Sequence, residues 1–172
     1  MMTLAEIVCA SYIALSFPNA GMLCNNSDTL VQASQKNNLD PFLMISLIYV
    51  ESRWRPTAVS SAGACGLTQV IPKYTGGKAI KKKYTCNQLK DPRTSISAGA
   101  KILRWWIDYH KGNIKQGLCG YNAGFRCSYK KNKKGKIVKT PNKHGMRYAR
   151  KVLRIQKKLK NKSLSLNSSR EK

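Results

Sequence analysis

Nine consecutive residues, Phe42 to Val50 (FLMISLIYV), contain Ser46 as their one break in an otherwise apolar run. Such a segment is apolar on nearly every side, so it has to be enclosed by the rest of the chain. It reads as a core helix or a buried strand, and its flanks decide between them. Asp40-Pro41 places a capping carboxylate before a proline at the first helical position, and the segment continues to Arg53. The pattern predicts a central helix beginning at Pro41, around which the remaining elements must pack.

Those elements are also helical in pattern. Ser27 or Asp28 can cap a short helix ending at Lys36. Asp91-Pro92 opens a unit in which Ile96, Ala100, Leu103, Trp106 and Ile107 form one stripe, with Gly112 as the stop. Trp106 is expected in the core and Trp105 at its rim. Asn113 caps a helix reaching Ala123, and residues 144–160 set Met146, Ala149, Val152, Leu153 and Leu159 against a basic face. Strand signals are confined to short stretches around 68–71 and 136–139. The fold class is mainly α with at most a small β element. The length of 172 residues suits one domain with tails.

Charge narrows the partners. With 32 basic against 7 acidic residues the chain carries +25, which favours a polyanion or a surface of fixed negative charge. Residues 126–172 hold 18 of the 32 basic residues and a single acid, Glu171. Within them 128–143 reads as a solvated basic loop and 161–172 as a disordered basic tail. Seven scattered carboxylates do not build a calcium site, and no run approaches the roughly 18 apolar residues of an ordinary membrane-spanning helix.

Six cysteines, Cys9, Cys24, Cys65, Cys86, Cys119 and Cys127, include no Cys-x-x-Cys pair. Neither His110 nor His144 lies at metal-ligand spacing from a cysteine. Disulfides in an oxidising compartment are the better reading, and the spacing does not choose among the fifteen pairings. Residues 1–22 contain the apolar run Ile7 to Phe17, which has the length of an export signal but Glu6 and no basic residue before it. A buried N-terminal helix is the other reading of that stretch.

One carboxylate looks like chemistry. Glu51 directly follows the apolar run, near the C-terminal end of the expected core helix. Burial and a helix C-terminus both disfavour the carboxylate form, raising its pKa toward the range of a general acid. Arg53 and Arg55 are expected to pull the other way. Downstream stand Pro56, then Ala58-Val59-Ser60, then Gly63-Ala64-Cys65-Gly66-Leu67-Thr68-Gln69 and Pro72, and later Gly120-Tyr121-Asn122-Ala123-Gly124.

This series of blocks resembles the family 1 lytic transglycosylases, whose soluble-lytic-transglycosylase (SLT) domain has a goose-lysozyme-like fold. The resemblance spans roughly residues 27–155 and implies a lysozyme-like catalytic domain within 23–160. It implies that Glu51 is the single catalytic acid and base, and that Ser60 orients the N-acetyl group of the sugar. Gln69 would line the groove, Tyr121 and Asn122 would position Glu51 and substrate, and Tyr148 would be a further aromatic of the last helix. Thr68 stands where the family commonly has Met, and Gly120 where Ala is commoner.

The implied reaction is cleavage of the N-acetylmuramic acid–N-acetylglucosamine bond of peptidoglycan, with formation of a 1,6-anhydro ring and no cofactor. A single carboxylate suffices for it, whereas ordinary glycosidases need two. The remaining acids are poor partners: Asp40 and Asp91 precede prolines, Asp28 is near a helix start, and Asp108 pairs with Arg104 at i−4. The implied location is extracytoplasmic, in periplasm or envelope, or after secretion or phage delivery. Anionic envelope polymers are expected on the basic loop and tail, and secretion, conjugation or phage machinery as associates. The rival on the same fold is a hydrolytic muramidase using Asp91 or Asp108. A cationic nucleic-acid-binding protein is a remote alternative, because residues 37–72 balance Arg53 and Arg55 against Asp40 and Glu51.

Overall fold

Helix α4 (Pro41–Ser52) forms where the cap signal puts it: the Asp40 carboxylate accepts the Phe42 amide at 2.8 Å, and Pro41 occupies the first turn. The structure is a computed structural model describing residues 2–131, 133–135 and 137–168. Leu43, Met44, Ile45, Leu47 and Ile48 of α4 are each at most 1% exposed, so this helix is enclosed on nearly all sides. Ser46, the polar exception, donates back to the Phe42 carbonyl at 2.7 Å and presents no unsatisfied hydroxyl to the core. Burying five such side chains is worth roughly 10 kcal/mol of gross transfer free energy, most of it offset by lost conformational entropy.

The enclosing shell is helical. Before α4 come α1 (Leu4–Ile13), α2 (Ala20–Cys24) and α3 (Ser27–Lys36); after it come α5 (Cys86–Lys90), α6 (Pro92–Tyr109), α7 (Ile114–Ala123) and α8 (Lys143–Ser168). Short 3₁₀ turns occupy Pro72–Tyr74 and Gly124–Cys127. Helix α8 packs on α1, α4 and α7, and α6 packs on α3 and α7. The caps at Asp91 and Asn113 form as the sequence predicts, accepting the amides of Thr94 at 2.8 Å and Gln116 at 3.0 Å. Strand content is small. β1 (Lys130–Lys131) pairs antiparallel with β2 (Ile137–Lys139), and isolated bridges join Cys65 to Val59 and Val70.

The apolar run near the N-terminus is helical as far as Ile13, the end of α1, and one face of that helix packs into the core. Val8 and Tyr12 of α1 are fully buried, and Cys9 is bonded to Cys24. Cys65 pairs with Cys86 and Cys119 with Cys127.

Two expectations need correction. The disordered tail expected from residue 161 is helical as far as Ser168. The stretch holds no Gly or Pro, and Ser163, Ser165 and Ser168 each return their hydroxyl to a carbonyl three or four residues back. Residues 169–172 lie outside the described residues. Trp106 is not core: both Trp105 and Trp106 are half-buried, in a surface aromatic group with Tyr109, His110 and Phe125. The buried arc of α6 follows Ile96, Ala100, Leu103 and Ile107, and Trp106 lies at its edge against α7.

Candidate active site

Glu51 is the penultimate residue of α4, and the chain leaves that helix abruptly. Arg53 and Trp54 both adopt left-handed backbone, with φ of 53° and 61°, a conformation costing non-glycine residues about 1–3 kcal/mol each. Surrounding contacts hold it. Asn19 Nδ2 donates to the Arg53 carbonyl at 2.8 Å, and Trp54 is buried with its ring 6.3 Å from that of Tyr12. Next to Glu51, the buried Ser52 hydroxyl donates to the Leu67 carbonyl at 2.8 Å. This bond ties the end of α4 to the Gly63–Gln69 loop, so the serine after the acid places the loop that faces it.

Helix α8 supplies the other wall. Tyr148 Oη donates to Glu51 Oε1 at 2.6 Å. Burial raises the Glu51 pKa from 4.5 to about 7, while the Tyr148 hydrogen bond and the Lys151 charge lower it and lose to burial. Arg53 and Arg55 do not supply the opposing charge. Both are exposed, and Arg55 Nε is turned back to the Ser52 carbonyl at 3.1 Å. Burial, reinforced by the Glu51 charge, pushes the hydroxyls of Tyr121 and Tyr148 up, so both remain protonated donors at neutral pH.

The residues named from sequence are placed as follows. Tyr121 lies close enough to feel the Glu51 charge, but its hydroxyl donates to the Thr68 carbonyl at 2.7 Å. Gln69 has a left-handed φ of 50°, and its Nε2 donates to Ala58 O at 3.1 Å and Gly66 O at 2.9 Å, bracing the loop from inside. Ser60 Oγ accepts the Ala64 amide at 3.1 Å across the same loop. Asn122 is exposed on α7 beside Tyr121. Thus Glu51 and Tyr148 meet directly, whereas Tyr121 lies within reach of the Glu51 charge and spends its hydroxyl on the Thr68 carbonyl.

The other described carboxylates stand at helix starts or in an exposed ion pair. Glu6 belongs to the capping box of α1, and Asp28 lies in the first turn of α3. Asp40 caps α4 and pairs with Lys160 at 2.9 Å; eleven residues of helix put it about 16 Å from Glu51. Asp91 caps α6, and Asp108 is paired with Arg104 at 2.6 Å on an exposed surface. A groove of about 640 Å³ is lined by Val50, Tyr148 and the face of α8 from His144 to Arg154; Glu51 adjoins it through its neighbour Val50 and its hydrogen-bond partner Tyr148 and is not itself in the lining.

Residues 28–143 match the Transglycosylase SLT domain family. The chain belongs to that family. The transglycosylase of enterobacteria phage PRD1 is 32% identical over 97 residues, covering 56% of this chain and 34% of the phage protein. The membrane-bound lytic murein transglycosylase C of Mannheimia succiniciproducens is 37% identical over 81 residues, covering 44% of this chain and 22% of its own. The chain therefore spans between about a fifth and two fifths of the curated relatives it matches. Among solved structures, the lytic transglycosylase Slt of Pseudomonas aeruginosa, an inactive mutant, gives a TM-score of 0.66 at 21% identity over 93% of this chain and 30% of that one. The 70 kDa soluble lytic transglycosylase of Escherichia coli gives 0.64 at 19%, over 92% and 29%. These two likenesses establish the helical lysozyme-like fold.

Both departures from the SLT pattern have local reasons. A Cβ at Gly120 would fall 2.4 Å from Cε3 of Trp106, so the indole occupies the space an alanine would take. Thr68 is fully buried, donates its hydroxyl to the Ser95 carbonyl at 2.8 Å, and donates its amide to the Ser95 hydroxyl oxygen at 3.1 Å. A Cβ at the facing Gly99 would lie 2.5 Å from Thr68 Cβ, so a small partner is required there. Two contributors left no sequence signal, the Thr68 carbonyl and Lys151. Ser52 stands beside the acid in the family motif, and the fold supplies its role, the bond to the Leu67 carbonyl.

Proposed function

We propose that this chain is a peptidoglycan lytic transglycosylase that cleaves the MurNAc-β-1,4-GlcNAc bond and leaves a 1,6-anhydro-MurNAc end. The observation that carries the reading is the state of Glu51: a half-buried carboxyl with its pKa raised to about 7, hydrogen-bonded by Tyr148. The other described carboxylates lie at helix starts or in an exposed ion pair, and none is hydrogen-bonded to Glu51 or Tyr148. A two-carboxylate hydrolysis needs a second acid about 5–9.5 Å from the first. A one-carboxylate route needs only that Glu51 serve twice.

Neutral Glu51 gives its proton to the glycosidic oxygen as that bond to the muramyl anomeric carbon breaks. The muramyl acetamido group stabilises the developing cation, oriented by Ser60, whose Oγ accepts from Ala64 and keeps its own proton for donation. Glu51, now ionised and held by the Tyr148 hydroxyl, takes the proton from the same sugar's 6-hydroxyl. That oxygen attacks the anomeric carbon and closes the anhydro ring. Tyr121 and Gln69 act on the enclosing loop, Tyr121 through Thr68 and Gln69 through Ala58 and Gly66, and Asn122 contacts substrate from α7.

The substrate sets the place of action outside the cytoplasm, in the envelope. The phage transglycosylase and the membrane-bound lytic murein transglycosylases among the relatives support that setting, as do the three disulfides. Anionic envelope polymers are the partners of the basic loop and of the basic tail. Mass spectrometry of digested peptidoglycan tests the reaction. Anhydromuramoyl ends, one water lighter than hydrolytic ends, are expected; reducing muramic acid as the main product would make the chain a muramidase instead.

A further inference from the structure

The groove lined by Val50 and Tyr148 has one wall far more cationic than general acid catalysis requires. His144, Arg147, Arg150, Lys151 and Arg154 line it from α8. Residues 147, 150, 151 and 154 stand at i, i+3, i+4 and i+7, so they share a helix face and extend about 10 Å along the groove. All four are exposed, and neither ion pair of the described residues uses any of them. Four of their mutual spacings are three or four residues, the spacings at which like charges on a helix repel. An uncompensated strip of this kind is held at a cost to the fold that a bound anion relieves.

We propose that this face of α8 is a subsite for the carboxylates of the peptide stems carried by the muramyl residues flanking the scissile bond. The inference rests on the transglycosylase reading, because that reading puts the glycan beside Glu51 and Tyr148 at the head of the strip. Three of the four cations are arginines, whose planar fork matches a carboxylate with two parallel hydrogen bonds. The strip also begins inside the groove, lined by Val50 and Tyr148, the neighbour and the hydrogen-bond partner of the acid. A ligand carried by the glycan under cleavage would reach the strip through those two residues. Stem carboxylates are carried by every muramyl unit, whereas phosphate polymers are attached at only some of them. Lys151 differs from the arginines because its charge also acts on Glu51.

The test uses the full chain and three substrates made from one batch of phosphate-free glycan strands: peptide-bearing, peptide-bearing with the carboxylates amidated, and stripped of peptide. Wild type is expected to cleave the peptide-bearing strands about fivefold to tenfold faster than the amidated ones at low salt, three exposed ion pairs each being individually weak. The preference should lie in KM and fade as ionic strength rises. In the Arg147→Gln, Arg150→Gln, Arg154→Gln triple variant the ratio should fall to near one, with an unchanged circular dichroism spectrum. Arg150→Glu alone, a change at an exposed position, should push the ratio below that of wild type. Equal rates on native and amidated strands, or a preference that survives in the triple variant, would overturn the subsite. So would a preference seen only on strands that retain phosphate polymers. A wild type that cleaves none of the three substrates would instead remove the transglycosylase reading itself.

Discussion

Tyr148 and Glu51, 97 positions apart in the chain, are joined by a 2.6 Å hydrogen bond in which the phenol donates to Oε1. The bond makes the acid at the end of α4 dependent on the docking of α8. It also sets two opposing demands on Glu51, since burial holds the proton on while the phenol stabilises the carboxylate left behind. A group that must give a proton and then take one back works best when neither state is strongly preferred.

Tyr148→Phe should therefore do two things at once. Losing a hydrogen bond to a reacting carboxylate costs roughly 1.5–3 kcal/mol, or about 10- to 100-fold in turnover. Because that bond lowers the Glu51 pKa, its removal should move the alkaline limb of the pH–rate profile to higher pH. Measuring kcat against pH for both proteins checks this; a lower kcat with an unmoved limb would mean the phenol does not touch the acid.

Glu51→Gln should abolish cleavage, a loss of at least the roughly 10²–10⁴-fold that general acid catalysis supplies, and should also stabilise the fold in one pH window. The folded-state pKa is raised from 4.5 to about 7, so ionisation favours the unfolded chain. Below about pH 4.5 both states are protonated and no penalty exists. The penalty grows between 4.5 and 7 and is complete above 7, where the Gln variant should be more stable by roughly 1–3 kcal/mol. Urea denaturation at pH 4 and pH 8 reads the difference. Equal stability at pH 8 would contradict the raised pKa.

Tyr121→Phe should behave differently from Tyr148→Phe. Its hydroxyl serves the Thr68 carbonyl, so the variant leaves a buried acceptor unpaired, at about 1–3 kcal/mol of stability. The alkaline limb should stay nearly where it is in wild type, since the bond to Glu51 is intact. A large shift of that limb would place the Tyr121 hydroxyl on Glu51 after all.

The sequence made α4 and its acid legible because both signals are local: a cap, a proline, an apolar run and a carboxylate within a dozen residues. The partners of that acid were not legible, because they act across the fold. Lys151 reaches Glu51 only because α8 packs on α4, whereas Arg53 and Arg55, near in sequence, are carried away by two left-handed residues. Trp106 was misplaced for a related reason: helical periodicity identifies an apolar arc but not its edge, and α7 settles the edge through Gly120. The packing of α1 was not legible either, because it rests on tertiary contacts such as Tyr12 against Trp54.

Gly120→Ala tests that edge directly. The added methyl would sit 2.4 Å from the Trp106 ring, an overlap that should cost about 1–3 kcal/mol as α6 and α7 shift apart. Combining it with Trp106→Leu should recover most of the loss, which a thermal melt of the four proteins in the cycle would show. Two independent, additive losses would mean the residues do not compete for one space.

The last prediction concerns the disulfide that brackets Tyr121 and Asn122. Cys119 and Cys127 close a loop around Tyr121-Asn122-Ala123-Gly124 and both are fully buried. Gly145, near the start of α8, packs directly on the two sulfurs, with room for no Cβ: one would fall 2.7 Å from Cys119 Sγ and 3.1 Å from Cys127 Sγ. The bridge thus supports the seam between α7 and α8, and α8 carries Tyr148 three residues further on. Replacing both cysteines by serine should cost about 2–3 kcal/mol, the loop-closure entropy of so short a ring. Activity should fall by more than the folded fraction does, because loosening this seam releases both Tyr121 and Tyr148 from their registers against Glu51. The comparison is between the variants Cys119→Ser with Cys127→Ser and Cys9→Ser with Cys24→Ser, assayed at a temperature where both are fully folded. The second bridge ties α1 to α2 and touches neither tyrosine, so its loss should lower stability with little change in kcat. Equal effects of the two on kcat would sink the idea that the Cys119–Cys127 bridge positions the site.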